Sequence, residues 1–431
     1  MAAPATPTFQ LNWLNIWYKR LDRVHNASIK ASPVLNRMRF EKSGGEAVAQ
    51  PFTLNAYRGD SGNFAAAQTI SSQAEFRNSA KYRWQVPVGT FVGSVTIEHR
   101  DIALSKTDRD AAARALQNET DQVFKQRASN IMRLWFGPLG SYIGSGTVAN
   151  AVVVDGVVTF ANRMDVADIF PGDIVTFSAA DGTSGSVVGS PGYVVKTESE
   201  IASSSSGRFS ISASSNGTVG NPAGLANGTY FCFKYGNFDS ASPTAKITPL
   251  QAYLPATPST ADLHNVKRSQ HTLLSGLRVP DAVMAGRTIG SKIKLFIANG
   301  QNLAGVDASE MKTVVLNPIE WQEAEEEFSS TVSRGEKSKA EDGFSSMVIN
   351  TANGETTLLA DPHCPAGVMF FLSMSQLCFH TPTGTIAQWA DEEGSIIRRK
   401  ETELVYEMTP VSYIASVMQA PYAHGRQSTT V

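Results

Sequence analysis

The longest sustained period in the chain falls in SKTDRDAAARALQNETDQVFKQRASNIMRLWFG, residues 105–137. Leu116, Thr120, Val123, Phe124, Ile131, Leu134 and Trp135 recur at three- and four-residue steps, which puts them on one face of a helix. Arg, Asn, Glu, Asp, Gln and Lys take the other face. Ser105 or Thr107 offers an N-cap with acidic residues in the first turn, and Gly137-Pro138 ends the run. About thirty residues rising ~1.5 Å each span about 45 Å. A half-exposed helix of that length is unusual inside a compact enzyme and reads as a spine.

Strand patterns flank it. Before it, AVAQPFTLNAY and KYRWQVPVGTFVGSVTIEH are rich in Val, Thr, Tyr, Phe and Trp with partial alternation. The small, polar stretch between them predicts a protruding hairpin with a soft tip. After the helix, residues 142–245 turn to Ala, Gly, Ser, Thr and Val. Five short strand runs (AVVVDGVVTFA, DIVTFSAADG, GYVVKTE, RFSISAS, GTYFCFKYG) alternate there with Gly-rich turns, which predicts an inserted all-β barrel or sandwich with its own core. Residues 249–279 are Pro-rich and irregular and read as a surface segment. Beyond 280, PDAVMAGRTIGSKIKLFIANG predicts a helix, KTVVLNP a buried strand, and PIEWQEAEEEFSSTV a helix opened by Pro318. Asn353-Gly354 predicts a hairpin turn. The closing run GSIIRRKETELVYEMTPVSYIASVMQAP predicts two strands returning to a sheet.

Composition narrows the class. With 42% hydrophobic and 18% charged residues, the 431-residue chain is a folded one. A net charge of −2 gives no global case for nucleic-acid binding. The charge is uneven: residues 1–60 hold eight Lys/Arg against four Asp/Glu (+4), and residues 142–245 hold four against eight (−4). The three cysteines, Cys232, Cys364 and Cys378, are odd in number and lack a CxxC pair. They argue against a disulfide framework or zinc knuckle and suit a reducing cytoplasm. The N-terminus lacks the basic start and apolar core of a signal peptide, and no apolar run reaches membrane-span length.

Candidate chemistry is sparse. LLADPHCPAGVMFFL sets Asp361, His363 and Cys364 within four positions, the residue types of thiol enzymes and metal sites. Adjacent residues on extended backbone diverge, and two prolines with a glycine favour a turn with Cys364 as buried filler. Arg58-Gly59-Asp60 reads as a loop tip. The sequons at Asn26, Asn118, Asn216 and Asn227 mean little without a secretory signal. Residues 325–327 (EEE) read as a solvated helix face, and IEHRD (97–101) lacks a second His at metal spacing. There is no GxGxxG fingerprint, phosphate loop, GxSxG elbow or paired His set. No catalytic, cofactor-binding or metal residues are therefore assigned, no cofactor is expected, and the chain reads as a non-enzyme.

Several stretches, taken in order, carry a resemblance. LQAYLPATPSTADLHNVKRSQHTLLSGLRV (250–279), VVLNPIEWQEAEEE (314–327) with Asn317-Pro318 and Trp321, LLADPHCPAGVMFFL, and the closing EEGSIIRRKETELVYEMTPVSYIASVMQAP resemble the major capsid proteins of tailed double-stranded DNA bacteriophages. These have the Hong Kong 97-type fold. The resemblance implies an α+β capsid fold with an N-terminal arm (1–45), an extended loop hairpin with peripheral strands (46–104) and a spine helix (105–141). It further implies a linker and peripheral segment (246–279), an axial domain (280–385) and C-terminal peripheral strands (386–431). The all-β insertion (142–245) is an addition to the family pattern.

The function implied is self-assembly through hexamers and pentamers into an icosahedral virion shell around double-stranded DNA, put together in the host bacterial cytoplasm. The implied partners are further copies of the chain, a separate scaffolding protein, a portal, a decoration protein and non-specific DNA on the inner face, with no membrane. A scaffolding protein is expected because the chain starts at the arm. Three other readings stay open: an encapsulin-type compartment, an adhesion or carbohydrate-binding protein using Arg58-Gly59-Asp60, and a thiol hydrolase using Cys364.

Overall fold

The computed structural model describes residues 32–54, 80–93, 95–98, 109–143, 151–160, 163–166, 169–197, 206–215, 217–238, 247–270, 272–304, 310–330, 346–390, 397–399 and 405–429. Arg58-Gly59-Asp60, His99, Asn26 and Asn216 lie outside them.

Ser32 starts the first element. Its hydroxyl accepts the Leu35 N–H at 3.2 Å and caps helix α1 (Pro33–Arg37). Pro33 occupies the first turn, where a missing N–H costs nothing. Val34 and Leu35 are fully buried in the main core, so this end of the expected arm packs on its own chain. Strand β1 (Arg39–Lys42) follows. Next, β2 (Ala47–Leu54) and β3 (Ala80–Pro87) form the expected antiparallel hairpin, in register from Ala47–Pro87 to Leu54–Ala80. β4 (Gly89–Val92) and β5 (Val95–Glu98) lead to the long helix α2, Arg109–Phe136.

The described end of α2 buries Phe124, Ala128, Ile131, Met132, Leu134, Trp135 and Phe136. The apolar stripe therefore widens into a buried last turn. Gly137 stops the helix as expected, its N–H bonding the Arg133 carbonyl at 2.8 Å. Trp135 donates its Nε1–H to Ser416 Oγ at 2.7 Å and packs edge-on to Phe379, which fixes α2 to the first sheet.

The insertion closes as a barrel. Its six strands are β6 (Ala151–Val154), β7 (Val157–Phe160), β8 (Ile174–Ser178), β9 (Val187–Thr197), β10 (Gly207–Ser212) and β11 (Gly228–Lys234), in the order β10-β7-β6-β11-β8-β9. Closure leaves no sheet edge unpaired. AVVVDGVVTFA is not one strand but a hairpin. Asp155 and Gly156 both take positive φ (48° and 81°), the conformation a two-residue primed turn needs.

Residues 249–279 depart from the surface expectation. Leu250, Tyr253, Leu254 and Leu274 are essentially buried. Prolines broke the periodicity without making the segment polar, and its apolar side chains fill the main core. The expected helix over 280–300 also breaks. A single turn at Asp281–Met284 ends at Gly286 (φ 69°), and α3 starts at Ile289 and runs to Ala304. β12 (Thr313–Leu316) and α4 (Pro318–Ser330) match expectation, with Asn317 accepting the Ile319 N–H at 3.2 Å. Glu327 is not simply solvated: it accepts from Thr288 Oγ1 at 2.5 Å and Gly290 N at 2.8 Å, at the start of α3.

β13 (Ser346–Thr351) and β14 (Gly354–Ala360) are joined through Asn353-Gly354 as expected, and β15 (Val368–Leu372) completes this run. Two further departures concern sheet membership. β16 (Leu377–Thr381), grouped by sequence with residues 280–385, pairs instead with β1 and β20. The closing run holds three strands rather than two, β18 (Ile397–Arg399), β19 (Val405–Met408) and β20 (Pro410–Met418), with β17 (Gln388–Trp389) ahead of it and β21 (Gly425–Ser428) after it. β21 pairs with β15. The first sheet is thus β1-β16-β20-β17 with β4 also on β20, the second is β13-β14-β12-β15-β21, and β18-β19-β5 forms a third. Strands buried on both faces lose the two-residue period, so their sequences do not say which sheet they join.

The second sheet separates two cores. Val315, Leu359, Phe370 and Leu372 face the main core, with α2 and the first sheet. Val314, Leu316, Leu358, Met369 and Phe371 face a smaller core closed by α3 and α4. Phe296 of α3 stacks on Phe371 there, centroids 3.8 Å apart. Among the described residues, no helix is long and apolar enough to cross a membrane.

Candidate functional site

Asp361 leaves the end of β14 fully buried, so its carboxylate has to be satisfied by protein donors. The turn that follows supplies two of them: the His363 N–H and His363 Nδ1, each 2.9 Å from Oδ1. The Ser32 hydroxyl donates to Oδ2, and the Val34 N–H lies 3.5 Å from the same oxygen. With Nδ1 donating to Asp361, His363 Nε2 is left to accept from Ser129 Oγ on α2, 2.7 Å away. One buried carboxylate and one imidazole therefore join the N-terminal segment, the long helix and the second sheet.

The order Asp361–His363–Ser129 follows the connectivity of a hydrolase triad. Ser129, however, sits in the interior of an α-helix, where backbone N–H groups are spent on i−4 carbonyls and cannot form an oxyanion hole. The arrangement works as a clasp between segments. Cys364 is no nucleophile either. Its thiol is buried, and burial, followed by the charges of Asp361 and Glu320, pushes its pKa well above the usual thiol range. Burial also raises Cys232, and lifts Cys378 to about 12 with Glu41 adding to the shift. The thiolate, the reactive form, is suppressed at all three.

A second polar cluster holds the C-terminal strand. Glu320 of α4 accepts from the Gly367 N–H at 2.7 Å and from the Thr429 hydroxyl. Burial raises its pKa, outweighing the hydrogen bonds from Thr429, Gly367 and Asn317 that act the other way. Lys292 of α3, 2% exposed, donates to the Thr429 carbonyl at 2.6 Å. Gln427 accepts from Val279 N and donates to Asp281.

A third cluster lies where β1 meets β16: Glu41, Cys378 and His380, with donor atoms within 4.8 Å of one another. Sequence reading assigned none of these three a role, nor Ser32, Ser129, Glu320 and Thr429. Their partners are distant in the chain (329 residues between Ser32 and Asp361), and no local spacing marks them. Of the sequons, Asn227 is described at the barrel rim. Its side-chain oxygen accepts the Asp155 N–H at 2.9 Å, and its amide donates to Asp155 Oδ1 at 3.1 Å, bracing the β6–β7 turn.

No protein-family model matches the chain. No curated protein matches it. Among solved structures it is similar to the capsid asymmetric unit of cyanophage A-1(L), at 10% identity, 91% of each chain and TM-score 0.45. It is also similar to the satellite phage P4 procapsid that includes the size determination protein, at 10% identity, 99% of this chain, 98% of that one and TM-score 0.40. A third is the capsid of a native GTA particle, at 9% identity, 94% and 90% coverage and TM-score 0.37. TM-scores below 0.5 do not carry function from those proteins to this one, so the functional reading rests on this chain's own residues and element order.

Proposed function

We propose that the chain is a major capsid protein of the Hong Kong 97 type, which assembles through hexamers and pentamers into a closed shell around double-stranded DNA. The observation that carries this reading is the order of elements. A two-stranded hairpin precedes a 28-residue helix laid on the first sheet. The chain then runs through an α/β unit and returns strands to that sheet. This order suits the arm, extended loop, spine, axial and peripheral parts implied by the sequence resemblance.

The chemistry supports a structural role. The polar clusters clasp segments together, and the thiols are buried and protonated. The barrel, with a core separate from the rest, suits an added surface module that braces neighbours or receives a decoration protein. A scaffolding protein, a portal and assembly in the bacterial cytoplasm belong to the same reading.

Negative-stain microscopy of the full chain, expressed alone and with a co-expressed scaffold, tests it. Closed particles or capsomer rings are the expected result. Discrete monomers under every condition would sink the proposal.

A further inference from the structure

Strands β1 and β16 run parallel, with Glu41 opposite His380 and Arg39 opposite Cys378. Residues two apart on a strand share a face. Cys378 and His380 therefore stand together on the face of β16 opposite Phe379, which packs into the main core. Glu41 reaches across from β1, its Oε2 3.8 Å from His380 Nε2. A carboxylate oxygen, the Cys378 sulfur and a ring nitrogen of His380 all fall within 4.8 Å of one another.

Two observations mark this as a place for a ligand. His380 is only 7% exposed, yet neither ring nitrogen has a hydrogen-bond partner among the described residues. A buried polar group left unsatisfied is costly, and this one points to a missing partner. The Glu41 carboxylate is also held in place: Arg39 engages Oε1 at 2.7 Å and leaves Oε2 turned to the imidazole.

We propose that Glu41, Cys378 and His380 bind one transition-metal dication of the zinc class, fastening β1 to β16. Thiolate, imidazole and carboxylate are the donors zinc takes, at ~2.3, ~2.0 and ~2.1 Å. Donor atoms around one such ion stand ~3–4 Å apart, so small side-chain rotations close the set. Calcium and magnesium, which take oxygen donors, do not suit a sulfur and a nitrogen. Binding transfers the Cys378 proton to solvent as the sulfur–metal bond forms. A water completes the fourth position. The Glu41 side chain is 35% exposed, which gives the ion a path in from the strand edge. β1 is a four-residue strand at the end of its sheet, so an ion across it would fix the segment leading from α1 and the Ser32–Asp361 contact.

Full-length protein stripped with EDTA and reloaded with Co(II) tests the site. One equivalent should give a thiolate-to-cobalt charge-transfer band in the near ultraviolet, together with tetrahedral d–d bands in the visible. Cys378→Ser should abolish the charge-transfer band. His380→Gln should weaken Zn(II) binding at least ~10-fold in competition with a chromophoric chelator. The proposal is overturned by a wild-type Co(II) spectrum without a thiolate band, by a band that survives in Cys378→Ser, or by unchanged Zn(II) affinity in His380→Gln. The wild-type spectrum decides the first point by itself, so a variant that fails to fold leaves the test intact.

Discussion

His363 Nδ1 lies 2.9 Å from Asp361 Oδ1, inside a turn that buries both side chains. The same carboxylate takes the Ser32 hydroxyl from 329 residues earlier in the chain. Asp361→Ala would leave Ser32 and His363 facing an empty, water-poor site. The expected loss is about 3 kcal/mol of unfolding free energy, from stranded donors and a lost anchor. Ser32→Ala, which also removes the α1 cap, should cost about 1 kcal/mol. Urea denaturation of the two variants measures both. An Asp361→Ala loss below about 1 kcal/mol would show that the clasp is not a stability element.

Acid should weaken the fold through buried histidines. His424 is fully buried, and burial alone lowers its pKa to about 3. Its depressed pKa means that protons bind the unfolded chain preferentially. Its contribution is complete above pH ~6.5 and is lost as pH falls toward 3, by up to about 1.4 kcal/mol per pH unit. His264, lowered to about 4 by burial and then by Arg268, acts in the same direction. Glu320, raised by burial, opposes them, its stabilisation fading as pH rises through its folded value. Melting temperatures at pH 7 and pH 5 should show the drop, and His424→Gln should make it shallower. An identical slope in that variant would remove His424 as the cause.

Native thiols should resist modification. Cys232, Cys364 and Cys378 are at most 1% exposed, and burial raises all three pKa values. Ellman's reagent at pH 8 should find almost no thiol in folded protein and three per chain in guanidinium. A rapid native burst of one equivalent would contradict the buried placement.

Gly425 opens β21 where the chain passes Phe296. A Cβ at this position would stand 2.3 Å from the Phe296 ring. That ring is stacked on Phe371 and has little room to move. Gly425→Ala should therefore cost about 1–3 kcal/mol, the usual range for overpacking. A neutral result in urea denaturation would mean that the ring pair yields.

The barrel should fold alone. Its core runs from Ile143 to Cys232, and the smaller cluster beside it joins Tyr142 to Phe231, Phe233 and Phe238, with no residue from outside 142–238 in either. Expressed as a fragment, residues 139–238 should give a β-type circular dichroism spectrum and a cooperative melt. A disordered fragment would show that the barrel depends on the rest of the chain.

Local pattern carried much of the fold. The Gly137 stop, the Asn353-Gly354 turn, the Pro318 start and the all-β insertion are each decided within a few residues, by backbone conformation or capping, and these appear where sequence placed them. Asp155-Gly156 is an equally local turn signal, masked in the sequence by the apolar residues that flank it on both sides. The candidate site was legible only as Asp361, His363 and Cys364 in one turn, and its chemistry was not. Whether Asp361 acts as catalyst or clasp depends on Ser32 and Ser129, which only folding brings near.

What the sequence determined by itself, then, was the local punctuation: the long helix and its Gly137 stop, the Pro318 helix start, the Asn353-Gly354 turn, and an all-β unit after the long helix. Only the tertiary structure decided which sheet β16 and β21 join, because strands buried on both faces carry no two-residue period to orient them. It also decided that Glu41 meets Cys378 and His380. Pairing between strands more than 300 residues apart follows from packing the whole chain, and no local spacing encodes it.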